Sequence, residues 1–180
     1  MKTNDDSRWP VRTPIGIMVL YYRAAPFSIT EITLPHWETD SGPIRPAPEW
    51  SSATDALSRP STGADELDRI VLLLMDYFKG VPISPQWRLF NMEGLTDLQQ
   101  QVLRAVADIP FGGLKTYGDI AAAVGRPGAS RFVGNTMAKN PFPILVPCHR
   151  VVRRNGGIGG FGGGPDLKKR LIAFEKGRIL

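Results

Sequence analysis

The single cysteine of this 180-residue chain, Cys148, stands in the tetrapeptide Pro147-Cys148-His149-Arg150. A thiol attacks as its thiolate, and a neighbouring imidazole or positive charge favours that form. His149 is one of two histidines, and Arg150 supplies a fixed cation. The apolar run Ile144-Leu145-Val146 predicts an extended, buried segment ending at the cysteine. Before it, Asn140-Pro141-Phe142-Pro143 is stiffened by two proline rings. Adjacent strand residues point to opposite faces, so His149 need not touch the sulfur and can act through a bound water. A lone cysteine is also an ordinary core filler, and residue type alone leaves both readings open.

A histidine base needs a group to orient it and hold its charge. The last helix supplies a candidate: Pro165 suits its first turn and Gly177 its end. At 100° per residue, Leu167, Leu171, Ile172 and Phe174 form the apolar arc, and Glu175 falls between Leu171 and Ile172. A carboxylate on a buried face is uncommon unless paired; the plainer reading is a half-exposed charge at a helix end. Lys168 lies near the same arc, with a stem long enough to carry its ammonium outward. Between motif and helix runs Gly156-Gly157-Ile158-Gly159-Gly160-Phe161-Gly162-Gly163-Gly164, with seven glycines in nine residues. Such a loop can wrap a planar ligand and offer it backbone N–H groups, or serve as a flexible linker. It lacks the Lys-Ser/Thr of a phosphate loop, which argues against nucleoside triphosphates.

These groups need elements to position them. Thr96-Asp97-Leu98-Gln99 is a capping signature, and Leu98, Val102, Leu103 and Val106 mark one helical face that Ile109-Pro110 ends. After Gly112-Gly113, Thr116 and Asp119 cap a second helix, with Ile120, Ala121 and Val124 inward and Gly125 as its stop. The Arg126-Pro127-Gly128 turn leads to a third helix over 129–139, completing a helix-turn-helix pattern. Ala129, Ser130, Gly134 and Ala138 keep that helix thin, and Arg131 and Lys139 charge it. A thin basic helix fits a nucleic-acid groove, or packs closely on another helix. Towards the N-terminus, Thr13–Leu34 reads as a β-hairpin, with Ile15, Ile17, Val19 and Tyr21 before a break at Ala24-Ala25-Pro26 and Ile29, Ile32 and Leu34 after it. Residues 35–63 read as loop or linker. Leu67, Ile70, Val71, Leu74 and Phe78 then predict a helix, with Thr62 and Asp65 as capping pair and Gly80 at its end. Nothing in residues 1–90 resembles a catalytic constellation.

With 42% hydrophobic and 22% charged residues the composition is that of a globular protein. No apolar run is long enough to cross a bilayer, the N-terminus lacks a secretory pattern, and no Cys/His cluster has zinc spacing. The chain therefore reads as intracellular, free of metal and without a cofactor. Residues 1–90 hold 9 Lys/Arg and 11 Asp/Glu, for −2; residues 91–180 hold 13 and 6, for +7. A basic second half suits a polyanion partner, though solubility alone can account for it.

The stretch Leu98–Gly177 resembles the O6-alkylguanine-DNA alkyltransferases, also called methylated-DNA–protein-cysteine methyltransferases. Tyr117-Gly118, Ala129-Ser130-Arg131 with Val133-Gly134, Asn140-Pro141, the run Ile144 to Val151, the aromatic-plus-glycine loop and Glu175-Lys176-Gly177 follow in that family's order. Thr13-Pro14-Ile15-Gly16 and Asp76-Tyr77-Phe78-Lys79-Gly80 are similar to its N-terminal domain. The resemblance implies an α/β protein: a small ribonuclease-H-like α/β domain over 1–92 and a mostly helical, winged helix-turn-helix-like domain over 93–180. It implies direct DNA repair by a single-turnover transferase. The alkyl group of O6-alkylguanine, or of O4-alkylthymine, moves irreversibly to Cys148. His149, a water and Glu175 take the thiol proton, Tyr117 helps flip the base and hydrogen-bonds the leaving guanine, and Asn140 braces the site.

By the same resemblance the third helix enters the minor groove through Ala129, Ser130, Gly134 and Met137, joined by Tyr117 of the helix before it, with Arg131 filling the place of the extruded nucleotide. Met137, Pro143, Val151, Phe161, Gly162 and Gly163 form the substrate pocket. The partner is double-stranded DNA carrying the lesion, with no membrane and no small-molecule cofactor. The protein acts as a monomer in the cytoplasm, or in the nucleus of a eukaryote. The family usually carries Tyr, then Ser or Ala, where Phe161-Gly162 stand, which bears on the alkyl groups that fit. Rival readings are a relative that binds lesions without accepting the alkyl group, a Cys-His hydrolase, and a transcription factor. Cys148 argues against the first, because such relatives replace the cysteine.

Overall fold

The computed structural model describes residues 7–35 and 63–177. Three antiparallel strands, β1 (Ser7–Thr13), β2 (Gly16–Ala24) and β3 (Phe27–Thr33), form one sheet in chain order. The hairpin expected from Thr13 onward is β2–β3, and β1 is an addition to it. In β1, Trp9, Val11 and Thr13 face the core while Arg8, Pro10 and Arg12 face out. Pairing puts Trp9 opposite Leu20 and Val11 opposite Met18. That fixes the buried face of β2 as Met18, Leu20 and Tyr22, and leaves Ile17 50% exposed. Of the apolar run read in the sequence, Ile15 is buried, whereas Ile17, Val19 and Tyr21 lie on the other face of the strand. Both faces of the run are apolar, so its alternation does not choose between them. Ile29 and Ile32 are both buried although three residues apart, because the register slips at Tyr21/Tyr22 and the extra residue on β3 returns Ile29 to the core side.

Helix α1 (Ala64–Phe78) lays Leu67, Ile70, Leu74, Tyr77 and Phe78 into the core. Its N-cap is Gly63, which makes no side-chain cap; Thr62, the expected partner of Asp65, lies outside the described residues, as do 36–62 of the expected linker. Burial of the aliphatic residues, at about 1.5–3 kcal/mol each, holds the helix. The edge of β3 is covered by the second half of the chain: Asn91 N donates to Ile29 O at 2.8 Å, and Ile32 N to Pro141 O at 2.7 Å.

Helices α2 (Asp97–Ala107) and α3 (Tyr117–Ala123) both begin with the capping boxes read in the sequence, Thr96 with Gln99 and Thr116 with Asp119. Helix α4 (Ser130–Ala138) completes the helix-turn-helix. A two-stranded parallel ladder joins β4 (Lys115–Thr116) to β5 (Val151–Val152), a pairing no local pattern announces. Helix α5 (Gly164–Glu175) carries Pro165 in its first turn, and the chain leaves it through Gly177 at φ 64°. Apolar side chains of both halves join one core, in which Tyr77 and Phe78 of α1 meet Phe174 of α5. The fold is mixed α/β, as expected.

Candidate active site

Cys148, His149 and Arg150 form a short 3-10 turn rather than the end of a strand. The run before it is buried but not extended: Ile144 and Leu145 form a turn with Val146 N on Phe142 O at 2.8 Å, and Arg150 N closes the next turn on Pro147 O at 2.9 Å. Upstream, Ile144 holds a left-handed φ of 72° while 1% exposed. For a β-branched residue that costs on the order of 1–3 kcal/mol, so the surroundings must impose it. Asn140 does so in part: its amide donates to Val146 O at 2.9 Å and accepts from Phe142 N at 3.0 Å. A bracing role for Asn140, as the resemblance implies, would act through these two bonds.

Glu175 is buried and fully engaged. Its Oε1 lies 2.6 Å from His149 Nε2 and accepts from Arg150 Nη2 at 3.0 Å; its Oε2 accepts from Arg150 Nε at 2.9 Å and Gly112 N at 3.0 Å. Tyr77 of α1 adds a further donor, its hydroxyl 3.0 Å from Glu175 Oε1 and 3.3 Å from His149 Nε2. Arg150 also donates to Ile109 O. Burial would push the Glu175 carboxyl up, but the hydrogen bonds and charges of His149 and Arg150 outweigh it and hold it at about 2. The carboxylate is then an acceptor only, so Nε2 of His149 must be the donor. Nδ1, buried and without a hydrogen-bond partner among the described residues, carries the free lone pair. Burial pulls the imidazole below its usual range, against the pull of Glu175, so it rests neutral.

Two electrostatic expectations need correction. Burial raises the Cys148 thiol above its usual range, so it rests protonated and must lose its proton during any reaction. Arg150 is consumed by Glu175 and Ile109; the opposing pulls on the thiol come from the Asn140 amide and the charge of Lys168. Lys168 does not reach outward. It is 0% exposed, and its ammonium donates to Val151 O at 2.6 Å and to Gly160 O at 3.5 Å. Burial brings it down to about 8, although the Cys148 charge pulls the other way.

Tyr117, at the start of α3, is half-buried; burial and then the charge of Cys148 raise its hydroxyl above the usual range. Its ring lies beneath the Lys168 ammonium, 5.9 Å from the centroid, and against Gly159, where a Cβ would stand 2.5 Å from the Tyr117 oxygen. The same ring passes Gly134 of α4, where a Cβ would sit 3.9 Å from it. Phe161 reaches the site edge-on to His149, with ring centroids 6.4 Å apart. Gly163 is squeezed by Leu167, Leu34 and Phe161, whereas Gly162 is exposed with open space around it. Pro143 and Val151 are buried.

On α4, Arg131 is exposed and Ala129, Ser130 and Gly134 are partly so. Met137 does not belong to that surface: it is 5% exposed and packed in the core, because it shares the inward face with Val133. The residue missed in the sequence is Tyr77. The reading that residues 1–90 hold nothing of a catalytic constellation is corrected by its two contacts. A phenol on an otherwise hydrocarbon helical face, needing a partner for its hydroxyl, was the available signal. Among the described residues, no group of His, Cys, Asp and Glu could hold a metal, and no helix is long and apolar enough to cross a membrane.

A small antiparallel sheet, a helix-turn-helix and a buried Cys-His-Glu network define an α/β protein with a candidate cysteine centre. The family model described as 6-O-methylguanine DNA methyltransferase, DNA binding domain, matches residues 97–177. Methylated-DNA–protein-cysteine methyltransferase of Mycobacterium tuberculosis is 47% identical over 83 residues, 46% of this chain and 50% of that protein. Its counterpart in Salmonella typhimurium is 43% identical over 102 residues, 57% of this chain and 59% of that protein. In those alignments the chain spans about half the length of its curated relatives. The crystal structure of M. tuberculosis OGT in complex with DNA superposes with a TM-score of 0.68 at 32% identity, over 96% of this chain and 94% of that one. The chain belongs to the methylated-DNA–protein-cysteine methyltransferase family.

Proposed function

We propose that this protein repairs alkylated DNA by transferring the alkyl group of O6-alkylguanine to Cys148, once per molecule. The reading is carried by one observation: a buried thiol in the same turn as a histidine whose Nδ1 is without a partner among the described residues and whose Nε2 is tied to Glu175. In the transfer, the thiol proton passes to Nδ1 of His149, directly or through water, and Glu175 holds the resulting imidazolium. The sulfur attacks the alkyl carbon, the S–C bond forms and the C–O bond breaks. The electron pair leaves with the guanine oxygen, and Tyr117 gives the departing base a hydrogen bond. The thioether has no leaving group, so the protein is spent. Burial of the thiol requires the base to be extruded from the duplex. The exposed Arg131 on a thin helix suits it to take the vacated place. Residues 93–180 would carry the DNA surface and the acceptor, with 1–92 in support; duplex DNA bearing the lesion is the partner.

The test is intact-protein mass after incubation with an oligonucleotide duplex containing O6-methylguanine. The wild type should gain one methyl group, and Cys148→Ala none. Tight lesion binding with no gain in mass would instead identify a lesion-binding protein that does not transfer.

A further inference from the structure

Tyr77 lies on α1, 71 positions before Cys148, and is 0% exposed. Its ring packs against Phe78, Phe111 and Phe174 with centroids 5.0, 5.9 and 5.8 Å away, which is a packing role in itself. Its hydroxyl does something packing does not require. It donates to Glu175 Oε1, the same oxygen that receives the 2.6 Å contact from His149, and stands 3.3 Å from Nε2 of that ring. Burial, then the charge of Glu175, raises this phenol well above its usual range, so it stays a donor.

We propose that Tyr77 is a positioning residue of the transfer reaction: by sharing Glu175 Oε1 with His149 it moderates the carboxylate's hold on the imidazolium. The proposal rests on the alkyl-transfer reading above. Its chemistry follows from competition at one oxygen. Each donor to a carboxylate draws charge from the bonds the others make. Without the phenol, Oε1 would give more to Nε2–H, the imidazolium would be better held, and His149 would protonate at higher pH. The other charged or titratable groups facing His149 are Glu175 and Lys168 of α5, Arg150 of its own turn and the Cys148 thiol; none of them would change. The base that must accept the thiol proton would then be occupied over a wider acid range. The N-terminal half thereby sets the working pH of a cysteine it does not carry.

The chain's two histidines make the test direct. Nitrogen-15 NMR of histidine-labelled protein, with His36→Gln to assign the signals, reads the tautomer and midpoint of His149 without any DNA. In the wild type His149 should be the neutral Nε2–H tautomer near pH 7; the Nδ1–H tautomer would overturn the proposal. In Tyr77→Phe, which keeps the ring, the midpoint should rise by about half to one unit. The acid limb of the methyl-transfer rate should move with it. Phe78→Leu, a packing change on the same helix, should lower the Tm without moving either. A Tyr77→Phe midpoint equal to that of the wild type, with only a lower Tm, makes Tyr77 structural and ends the proposal. If the wild type transfers no methyl, the functional reading fails, yet the NMR midpoints still decide what Tyr77 does to His149.

Discussion

The network around His149 and the open side of α4 are built in opposite ways. His149, Arg150 and Glu175 are 0, 5 and 8% exposed, and Glu175 receives donors from α1, from the Cys148 turn and from the loop before β4. On α4, Arg131, Asn135, Ala138 and Lys139 are exposed, beside the small residues Ser130 and Gly134. A buried charge is tolerable only when each of its neighbours is in place, so the network has a single geometry. An exposed thin helix leaves its last contacts to the ligand. On the proposed function, chemistry that must happen once sits in the over-determined region, and recognition of a deformable duplex sits where the surface is open.

Breaking the network should therefore cost both stability and rate, whereas changing the surface should cost binding alone. Glu175→Gln is the most severe test. It leaves Arg150 buried without its counter-charge, a change worth about 3–5 kcal/mol of stability. It also removes the group that holds the His149 imidazolium, so methyl transfer should fall by about a hundredfold or more. Denaturant unfolding and single-turnover kinetics measure the two. Unchanged transfer in a folded Glu175→Gln variant would remove Glu175 from the mechanism and dissolve the contrast.

Acid should act on the same side of the comparison. The folded carboxyl of Glu175 sits at about 2 against an ordinary 4.5, so the unfolded chain binds its proton first. The stabilisation is complete above 4.5 and is lost as pH falls towards 2; the gap of about 2.5 units corresponds to roughly 3 kcal/mol. His149 acts in the same direction from a higher starting point. Its folded value lies below the ordinary 6.5, so stability begins to fall as pH drops through that value. Unfolding free energies from pH 7 to pH 3 should decline in the wild type. The decline between pH 4.5 and 3 should be much shallower in Glu175→Gln, and parallel curves would show that the carboxylate does not carry it.

Arg131→Ala probes the other region. The side chain is exposed, so stability should move by no more than about 0.5 kcal/mol. Transfer from duplex DNA should slow by about tenfold, near 1.4 kcal/mol, while reaction with a free O6-alkylguanine base should not change. Equal slowing on base and duplex would place Arg131 in the chemistry instead of the groove.

The two regions also differed in how far the sequence disclosed them. The helices around α4 were legible because caps are local: Thr96 with Gln99 and Thr116 with Asp119 lie three residues apart, and their bonds form as read. Cys148, His149, Asn140 and Glu175 were legible as residue types, and the arc of α5 put Glu175 inward. Their partners were not, because the partners are distant in sequence. Lys168 was expected to reach solvent because its acceptors, the carbonyls of Val151 and Gly160, belong to a strand and a loop that only folding brings over α5. Tyr77 is passed over in the sequence for the same reason, its partners His149 and Glu175 being 72 and 98 residues away. The turn at Cys148 was hidden behind a residue type that opposes it, since nothing about isoleucine announces the left-handed backbone of Ile144.

The smallest expected effect lies where the two regions meet, in the loop that brings Phe161 to 6.4 Å from His149. Gly162 has open space where a Cβ would stand and no positive φ, so it accepts a side chain without strain. Phe161→Tyr with Gly162→Ser adds one hydroxyl at each of these two positions. Stability should change by less than about 0.5 kcal/mol, because neither change empties the core or buries a polar group. Preference should move. A glycine leaves more room than a serine, and one methylene in a pocket is worth about 1–3 kcal/mol. The double variant should lose rate with O6-benzylguanine relative to O6-methylguanine, read as the ratio of their transfer rates. An unchanged ratio would mean that the loop does not bound the alkyl pocket. Selectivity would then rest wholly with the buried wall around Pro143 and Val151, on the rigid side of the site.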